Sequence, residues 1–434
     1  MMLSLLLAAT TIAGRPEVDA LIAKLNSPDA LVRADAACDV ADYGSEARAA
    51  VPRLIELLGD ETETQSSKCG FHWDSGSGIR AGFTTPGWVA ALALHEIGEP
   101  AFSALIAAMQ HSKPAVRSRA ADALGSFGDT RAVDTLMAAL KDSDARVRRN
   151  SASALGEIED TRAIAALIPV AKDSDARVRT GVYQALAEME DGRALKTLIT
   201  GLDDPDGDAR EAAADGLAAL EDVSALPALI AHAGDPDVHV RLSILSALEE
   251  FDDNRVVAPL VKALKDPHWK IREAAVEGLS KFRTDAAIQG LIAALKDEMW
   301  NVRATAAQAL GELQDARALD LLITTAADPH WQVRVHAIEA LGAFDNVKAA
   351  PALIKASTDA HWQVRVHAIE ALGNLGDPAT LGAIEARLKD EHWQVRLSAI
   401  EALVTVDETR AEALAERMKS DLHPRIREAL RDLD

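Results

Sequence analysis

The sequence predicts an all-α fold, a right-handed α-solenoid or superhelix of about thirteen stacked helix pairs. Three observations predict it. An arginine recurs every 31 residues, at positions 117, 148, 179, 210, 241, 272, 303, 334, 365, 396 and 427. An aspartate stands six residues before each of these from the second onward, from Asp142 to Asp421. Apolar residues make up 48% of the chain but aromatics only 4%, with alanine and leucine in the majority, a mix that favours closely packed helices over β-sheet. Ten Asp-x5-Arg pairs in unbroken register mark an array, which displaces the roughly two or three compact domains that a chain of this length would otherwise suggest.

One unit shows the logic. In Asp328–Gly342, D-P-H-W-Q-V-R-V-H-A-I-E-A-L-G, Asp328 is a good N-cap and Pro329 suits the first helical position. Val333, Ala337, Ile338 and Leu341 share one helical face, and Gly342 falls near the C-terminal end, where glycine is favoured. Val347 to Ser357 reads as a second short apolar helix. A single pair cannot bury its apolar face, so each must stack on its neighbours. The aspartates and arginines, among them Asp266, Arg272, Asp328, Arg334, Asp359 and Arg365, read as a structural ladder. The carboxylate serves the turn and accepts from an arginine fork, clamping each inter-helix turn to the next.

The register extends upstream, where Val32-Arg33 and Gly44 match Val116-Arg117 and Gly128. Thr85-Pro86-Gly87 through Gly98 match as well, with Gly87 in place of the arginine. The expected organisation is a candidate signal peptide over 1–13, N-terminal repeats over 14–58, a loop insertion over 59–85 and a continuous array over 86–434. Residues 1–13 have a short apolar centre and end in small residues, with Thr11 and Ala13 placed for cleavage after Ala13, but lack a basic start. Export to the periplasm or the exterior is the expectation; the alternative is an N-terminal cap on a cytoplasmic protein. Export would permit a Cys38–Cys69 disulfide, against two free thiols otherwise. No CxxC or Cys/His pair has zinc spacing, and no apolar run is long enough to cross a bilayer. The net charge of −22 argues against a nucleic-acid partner, whose phosphates need clustered Lys and Arg.

The pattern D-x5-R, then A-x-x-A-L-G, then a D-x-R-A start as in Asp129-Thr130-Arg131-Ala132, resembles HEAT repeats over about residues 17–434. More narrowly it is similar to the short bacterial type named after phycobilisome lyase subunits. The resemblance implies the fold far more sharply than the function, because that family includes scaffolds, bilin lyases, iron-dependent hydroxylases and artificial binders. It also implies that the second helices line a concave groove.

Trp269, Trp300, Trp331, Trp362 and Trp393 form a further ladder, each three residues before the arginine, whereas Ala145, Ala176, Gly207 and Val238 hold the place upstream. With helices about 10 Å apart, five indoles would make a stripe roughly 40 Å long. One reading is a recognition surface shared with Gln332, His336, Glu339, Gln363, His367 and Glu370, which point with Val335 away from the core. The other is that each indole covers the turn and packs on the next repeat. The near-identical stretches at 330–342 and 361–373 also mark recent duplication, which copies a residue without selection for binding. His268, His330, His361 and His392 precede four of the tryptophans and are expected in the first helical turn.

The pairs His336/Glu339 and His367/Glu370 have the spacing of two metal ligands on a helix face, but Thr305 and Ser398 replace the histidine in the flanking units, so a solvated polar face is expected and no metal. Deoxyhypusine hydroxylases, which share the architecture, hold two irons on four adjacent His-Glu pairs. Here only His95-Glu96 has that form. The insertion, Cys69-Gly70-Phe71-His72-Trp73-Asp74-Ser75-Gly76-Ser77-Gly78, reads as a loop and contains no nucleophile–base pair. The resulting expectation is a non-catalytic scaffold, without cofactor, that binds a protein or peptide along the second helices, chiefly over about residues 266–401. The alternative is a metal-dependent hydroxylase or bilin-lyase-type enzyme on the same fold, and a third reading is a spacer with no specific partner. The oligomeric state is left open.

Overall fold

The structure, a computed structural model, describes residues 15–66, 68, 83–411, 413 and 423–426. It is an α-solenoid made of two compact units, Met1–Ala225 and Leu226–Asp434. Among the described residues each unit holds six complete helix pairs. The first unit runs from the pair Pro16–Lys24 and Ala30–Ala41 to the pair Leu195–Gly201 and Gly207–Ala219. The second runs from Leu226–His232 and Val238–Glu249 to Leu381–Arg387 and Trp393–Val406. The candidate signal peptide over 1–13 lies outside the described residues.

Local sequence explains each element. Most first helices open on a short 3-10 turn whose aspartate accepts a hydrogen bond from the backbone two residues on, as Asp129 does from Arg131 and Asp315 from Arg317. The second helices are longer and carry the apolar face: Val333, Ala337, Ile338 and Leu341 are all at most 1% exposed. Burying each such Val, Ile or Leu side chain stabilises by about 1.5–3 kcal/mol. The gain requires neighbours, because helix Trp331–Ala343 packs against both Trp300–Leu313 and Trp362–Leu375.

Several local expectations are corrected. Asp328 does not cap the helix: the helix begins at Trp331, its N-cap is His330, and the Asp328 carboxylate instead accepts from the His330 backbone N–H at 2.8 Å. His268, His361 and His392 are N-caps too, with extended backbone just ahead of the first turn. Gly342 does not end its helix by a left-handed turn; that conformation falls on Asp345, at φ 47°. Gly342 is there for packing, since a Cβ would stand 3.0 Å from Ala371 Cβ on the next second helix. Val335, expected to point away from the core, is 8% exposed, because tight helix spacing leaves the flank as well as the centre of the face covered.

The insertion leaves the array between Val51–Leu57 and Pro86–Ile97, and Thr64 and Thr84 pair across its base by two backbone hydrogen bonds of 2.8 Å. Cys38, on helix Ala30–Ala41, is disulfide-bonded, while Cys69, the partner expected for it, lies outside the described residues. So do His72, Trp73 and Asp74.

Candidate partner-binding face

The arginine ladder sets the spacing on which every other row depends. Arg334 donates through Nε and Nη2 to both carboxylate oxygens of Asp359, each at 2.8 Å, and through Nη1 to the backbone carbonyl of Asp328 at 2.9 Å. Each guanidinium thus joins the turn of its own repeat to the turn of the next. Arg272 does the same with Asp297 and the Asp266 carbonyl, and Arg365 with Asp390 and the Asp359 carbonyl. In the first unit Arg117, Arg148 and Arg179 hold Asp142, Asp173 and Asp204. Arg33 finds Asp60, at the start of the insertion, with Nε–Oδ2 at 2.7 Å. Asp60 does not stand out in the sequence, because the insertion removes it from the 31-residue register; the lone signal is that Arg33 is in register and needs an acceptor.

The carboxylates respond to the clamp. The hydrogen bond from Arg117 holds Asp142 below the usual carboxylate range against the opposing effect of burial, and Arg148 does the same to Asp173. Bidentate geometry with both partners largely buried makes these stronger than surface ion pairs.

The tryptophans are half-buried at the N-terminal ends of the second helices. Each of four lies flat against a histidine of the following repeat: Trp300 on His330, Trp331 on His361, and Trp362 on His392, all at 4.1 Å between ring centroids, and Trp393 on His423 at 3.9 Å. Interplanar angles are 5–9°. Within a repeat the histidine and tryptophan rings stand 6.4 Å apart and within 17° of parallel. The rings from Trp300 to His392 therefore form one stack through four repeats. The Nδ1 atoms of His330, His361 and His392 are buried without a hydrogen-bond partner, so ring faces, not Nδ1, anchor these side chains. Trp269 begins the row, where Met299 takes the place of the next histidine and the Lys270 ammonium lies 5.8 Å from the indole centroid. A tryptophan at one position and a histidine thirty residues on are both visible in the sequence; their pairing is not.

Beside the stack, one turn further along each helix, lies a polar row. Gln332 and Gln363 are half-buried, and Glu339 and Glu370 are exposed. His336 Nδ1 is 3.0 Å from Glu339 Oε2, and His367 Nδ1 is 3.3 Å from Glu339 Oε1 and 3.2 Å from Glu370 Oε2. The hydrogen bond with His336 lowers Glu339, and that with His367 lowers Glu370, while the Glu370 contact raises His367. On the corresponding face of the first unit, Glu157 is pushed up to about 7, chiefly by desolvation between neighbouring helices and then by Asp122 and Glu188.

Among the described residues no group of three or more His, Cys, Asp or Glu side chains is arranged to hold a metal ion. His95, of the one adjacent His-Glu pair, is spent on an edge-on contact with Phe127 at 5.1 Å. No helix among the described residues is long and apolar enough to cross a membrane.

HEAT repeats match the chain in six overlapping segments, 88–152, 133–218, 195–280, 226–299, 288–362 and 350–433. No curated protein matches the sequence. Solved structures do. One is Kap95p, described as inducing the switch loops of RanGDP to adopt the GTP-bound conformation, with TM-score 0.63, 14% identity, and coverage of 97% of this chain and 66% of that one. Another is the Kap95:Nup1 complex, with TM-score 0.61, 14% identity and the same coverage. A third is Kap121p bound to Pho4p, with TM-score 0.59, 14% identity, and coverage of 93% of this chain and 50% of that one. This chain thus spans between half and two thirds of the length of these three.

Proposed function

The chain belongs to the HEAT-repeat family, and from that premise we propose that it is a non-catalytic scaffold that holds a protein or peptide partner along the second helices of its C-terminal unit. One observation carries the reading: Gln332, His336 and Glu339 recur as Gln363, His367 and Glu370 on adjacent helices, giving a polar surface repeated at helix spacing beside five half-buried indoles. Repetition at that spacing suits an elongated partner that meets the same groups again and again. The indoles contribute their edges, since four of them have a ring face occupied by histidine. The structural neighbours are described in complexes with proteins, Nup1 and Pho4p, which supports a partner of the same class here. The 31-residue period supports the short bacterial, phycobilisome-lyase-like type within the family.

The test is affinity capture from the native cell extract with wild-type chain and with a Gln332→Ala, Gln363→Ala, Gln394→Ala variant, Gln394 being the residue of helix Trp393–Val406 in the same register. The expected result is a protein held by the wild type and lost by the variant at unchanged melting temperature. Equal capture by both would overturn the assignment of this face. The disulfide at Cys38 supports an oxidising compartment, and we propose export on that ground; mass spectrometry of the mature N-terminus should then find residues 1–13 removed.

A further inference from the structure

We propose that His336, Glu339, His367, Glu370 and Ser398 form a proton-operated clip that ties three consecutive second helices together and opens when His367 gives up its proton. The geometry is a chain of contacts across repeats. His336 and Glu339 stand on helix Trp331–Ala343, His367 and Glu370 on Trp362–Leu375, and Ser398 on Trp393–Val406. Glu339 receives His336 through one carboxylate oxygen and His367 through the other. His367 reaches a second carboxylate, Glu370, with the same nitrogen. Ser398 donates to the remaining oxygen of Glu370 at 3.2 Å.

The key atom is Nδ1 of His367. The two contacts, at 3.3 and 3.2 Å, are ion-pair contacts that one nitrogen divides between two carboxylates, and a neutral ring gains little from them. A positive ring adds a Coulombic attraction to both anions at once, reduced but not abolished by solvent at side chains that are 31%, 42% and 46% exposed for His367, Glu339 and Glu370. The charge on the ring is therefore what holds the two repeats at this point. Groups on every packed element agree with this. The preceding helix supplies His336 and Glu339, and the following one supplies Ser398 and Glu401, whose carboxyl is raised by burial and then by Glu370. On the first helices packed nearby, Glu385 and Arg387 pair with Arg410 and Asp390.

The sign follows from the directions. His367 is raised above 6.5, so its contribution is complete below that value and is lost as pH rises through the higher folded value. Glu339 and Glu370 are lowered from 4.5, so theirs is complete above 4.5 and is lost as pH falls through the lower folded values. The clip is whole between those limits. Above them the groove shows two carboxylates without their internal cation, and the three helices lose a cross-link. Only the two near-duplicate repeats carry the His-x-x-Glu pair, so the device is confined to one place in the unit.

The experiment uses the full chain. Imidazole resonances are titrated by NMR and assigned with His336→Gln and His367→Gln; His367 should titrate above the ordinary imidazole value. Hydrogen-exchange mass spectrometry, corrected for intrinsic rates, is then compared at about pH 6 and about pH 8.5. Protection over 331–406 should fall several-fold at the higher pH relative to helix Val238–Glu249, and His367→Gln should remove that difference. Glu339→Gln, an exposed change, should lower the His367 titration toward the ordinary imidazole value. A His367 that titrates at or below the ordinary imidazole value, or a protection change that persists in His367→Gln, would overturn the clip. Should His367→Gln fail to fold, the wild-type titration and Glu339→Gln decide the matter alone.

Discussion

Trp331 lies flat on His361, the ring centroids 4.1 Å apart and the planes 7° from parallel, although the two residues belong to different repeats. The contact gives the tryptophan row a structural duty whatever else it does. Trp331→Leu should lower stability by about 2 kcal/mol, combining lost apolar contact with a lost aromatic pair. A double-mutant cycle with His361→Leu should show a coupling of about 0.5–1.5 kcal/mol, measured by denaturant unfolding. Additive single effects would show that the rings merely lie near one another.

The clamp carries more. Arg334 and Asp359 are 15% and 16% exposed, so Asp359→Asn leaves a guanidinium largely buried without its counter-charge. The expected loss is about 2–4 kcal/mol, read from thermal or urea melts. Its pH dependence is clearest in the first unit, where Asp142 and Asp173 are lowered from 3.8 by Arg117 and Arg148. Carboxylates lowered in the folded state stabilise above the unfolded value and cease to do so as pH falls through the folded one. Wild type should therefore lose stability steeply below about pH 4, and an Asp142→Asn, Asp173→Asn variant less steeply.

Glycine at the end of the second helix answers to packing. At Gly311 a Cβ would sit 2.7 Å from Ala340 Cα and Cβ, against 3.0 Å from Ala371 Cβ at Gly342. Alanine has the better helix propensity, yet Gly311→Ala should destabilise by about 1–3 kcal/mol because two helices must separate. Gly342→Ala should cost less than Gly311→Ala. Equal or reversed effects in matched melts would show that the helices are less closely set.

Glu157 offers a test in the opposite sense. Its carboxyl is raised from 4.5 to about 7 by desolvation and by Asp122 and Glu188. A raised acid destabilises in its charged form, beginning above the unfolded value and reaching full effect above the folded one. Glu157→Gln should melt higher than wild type at about pH 8, and the gain should vanish near pH 4.5. A pH-independent difference would remove the assigned cause.

The array was legible because its signal is periodic: one missed residue among ten cannot hide a 31-residue step. What sequence spacing conceals is which neighbour a side chain chooses. Asp328 precedes Arg334 by six residues, but its carboxylate goes to Arg303 and only its backbone carbonyl to Arg334. Every rung looks alike in the sequence, so the two assignments cannot be told apart there. The same holds for His361, which adjoins Trp362 in the chain but stacks closely on Trp331. At Glu339 the i,i+3 contact with His336 follows from helix geometry, whereas the contact with His367 depends on how two helices are rotated against each other. The Asp60 acceptor and the packing role of Gly342 were hidden for the same reason: both are set by a neighbouring element, not by local pattern.

Asp328 faces two ways, its carboxylate toward the earlier repeat and its carbonyl toward the later one. Asp142, Asp173, Asp297 and Asp359 are built the same way, with half of each joint contributed from each side. A segment of one full period can then be excised or copied without leaving a half-joint unmatched: cut out residues 330–360, and Arg365 meets the Asp328 carbonyl in the place of the Asp359 carbonyl. Lengths that are not multiples of the period break a joint. Within the unbroken register, whole steps are the changes that keep every joint, and the twin stretches at 330–342 and 361–373 have the form that one such step would leave.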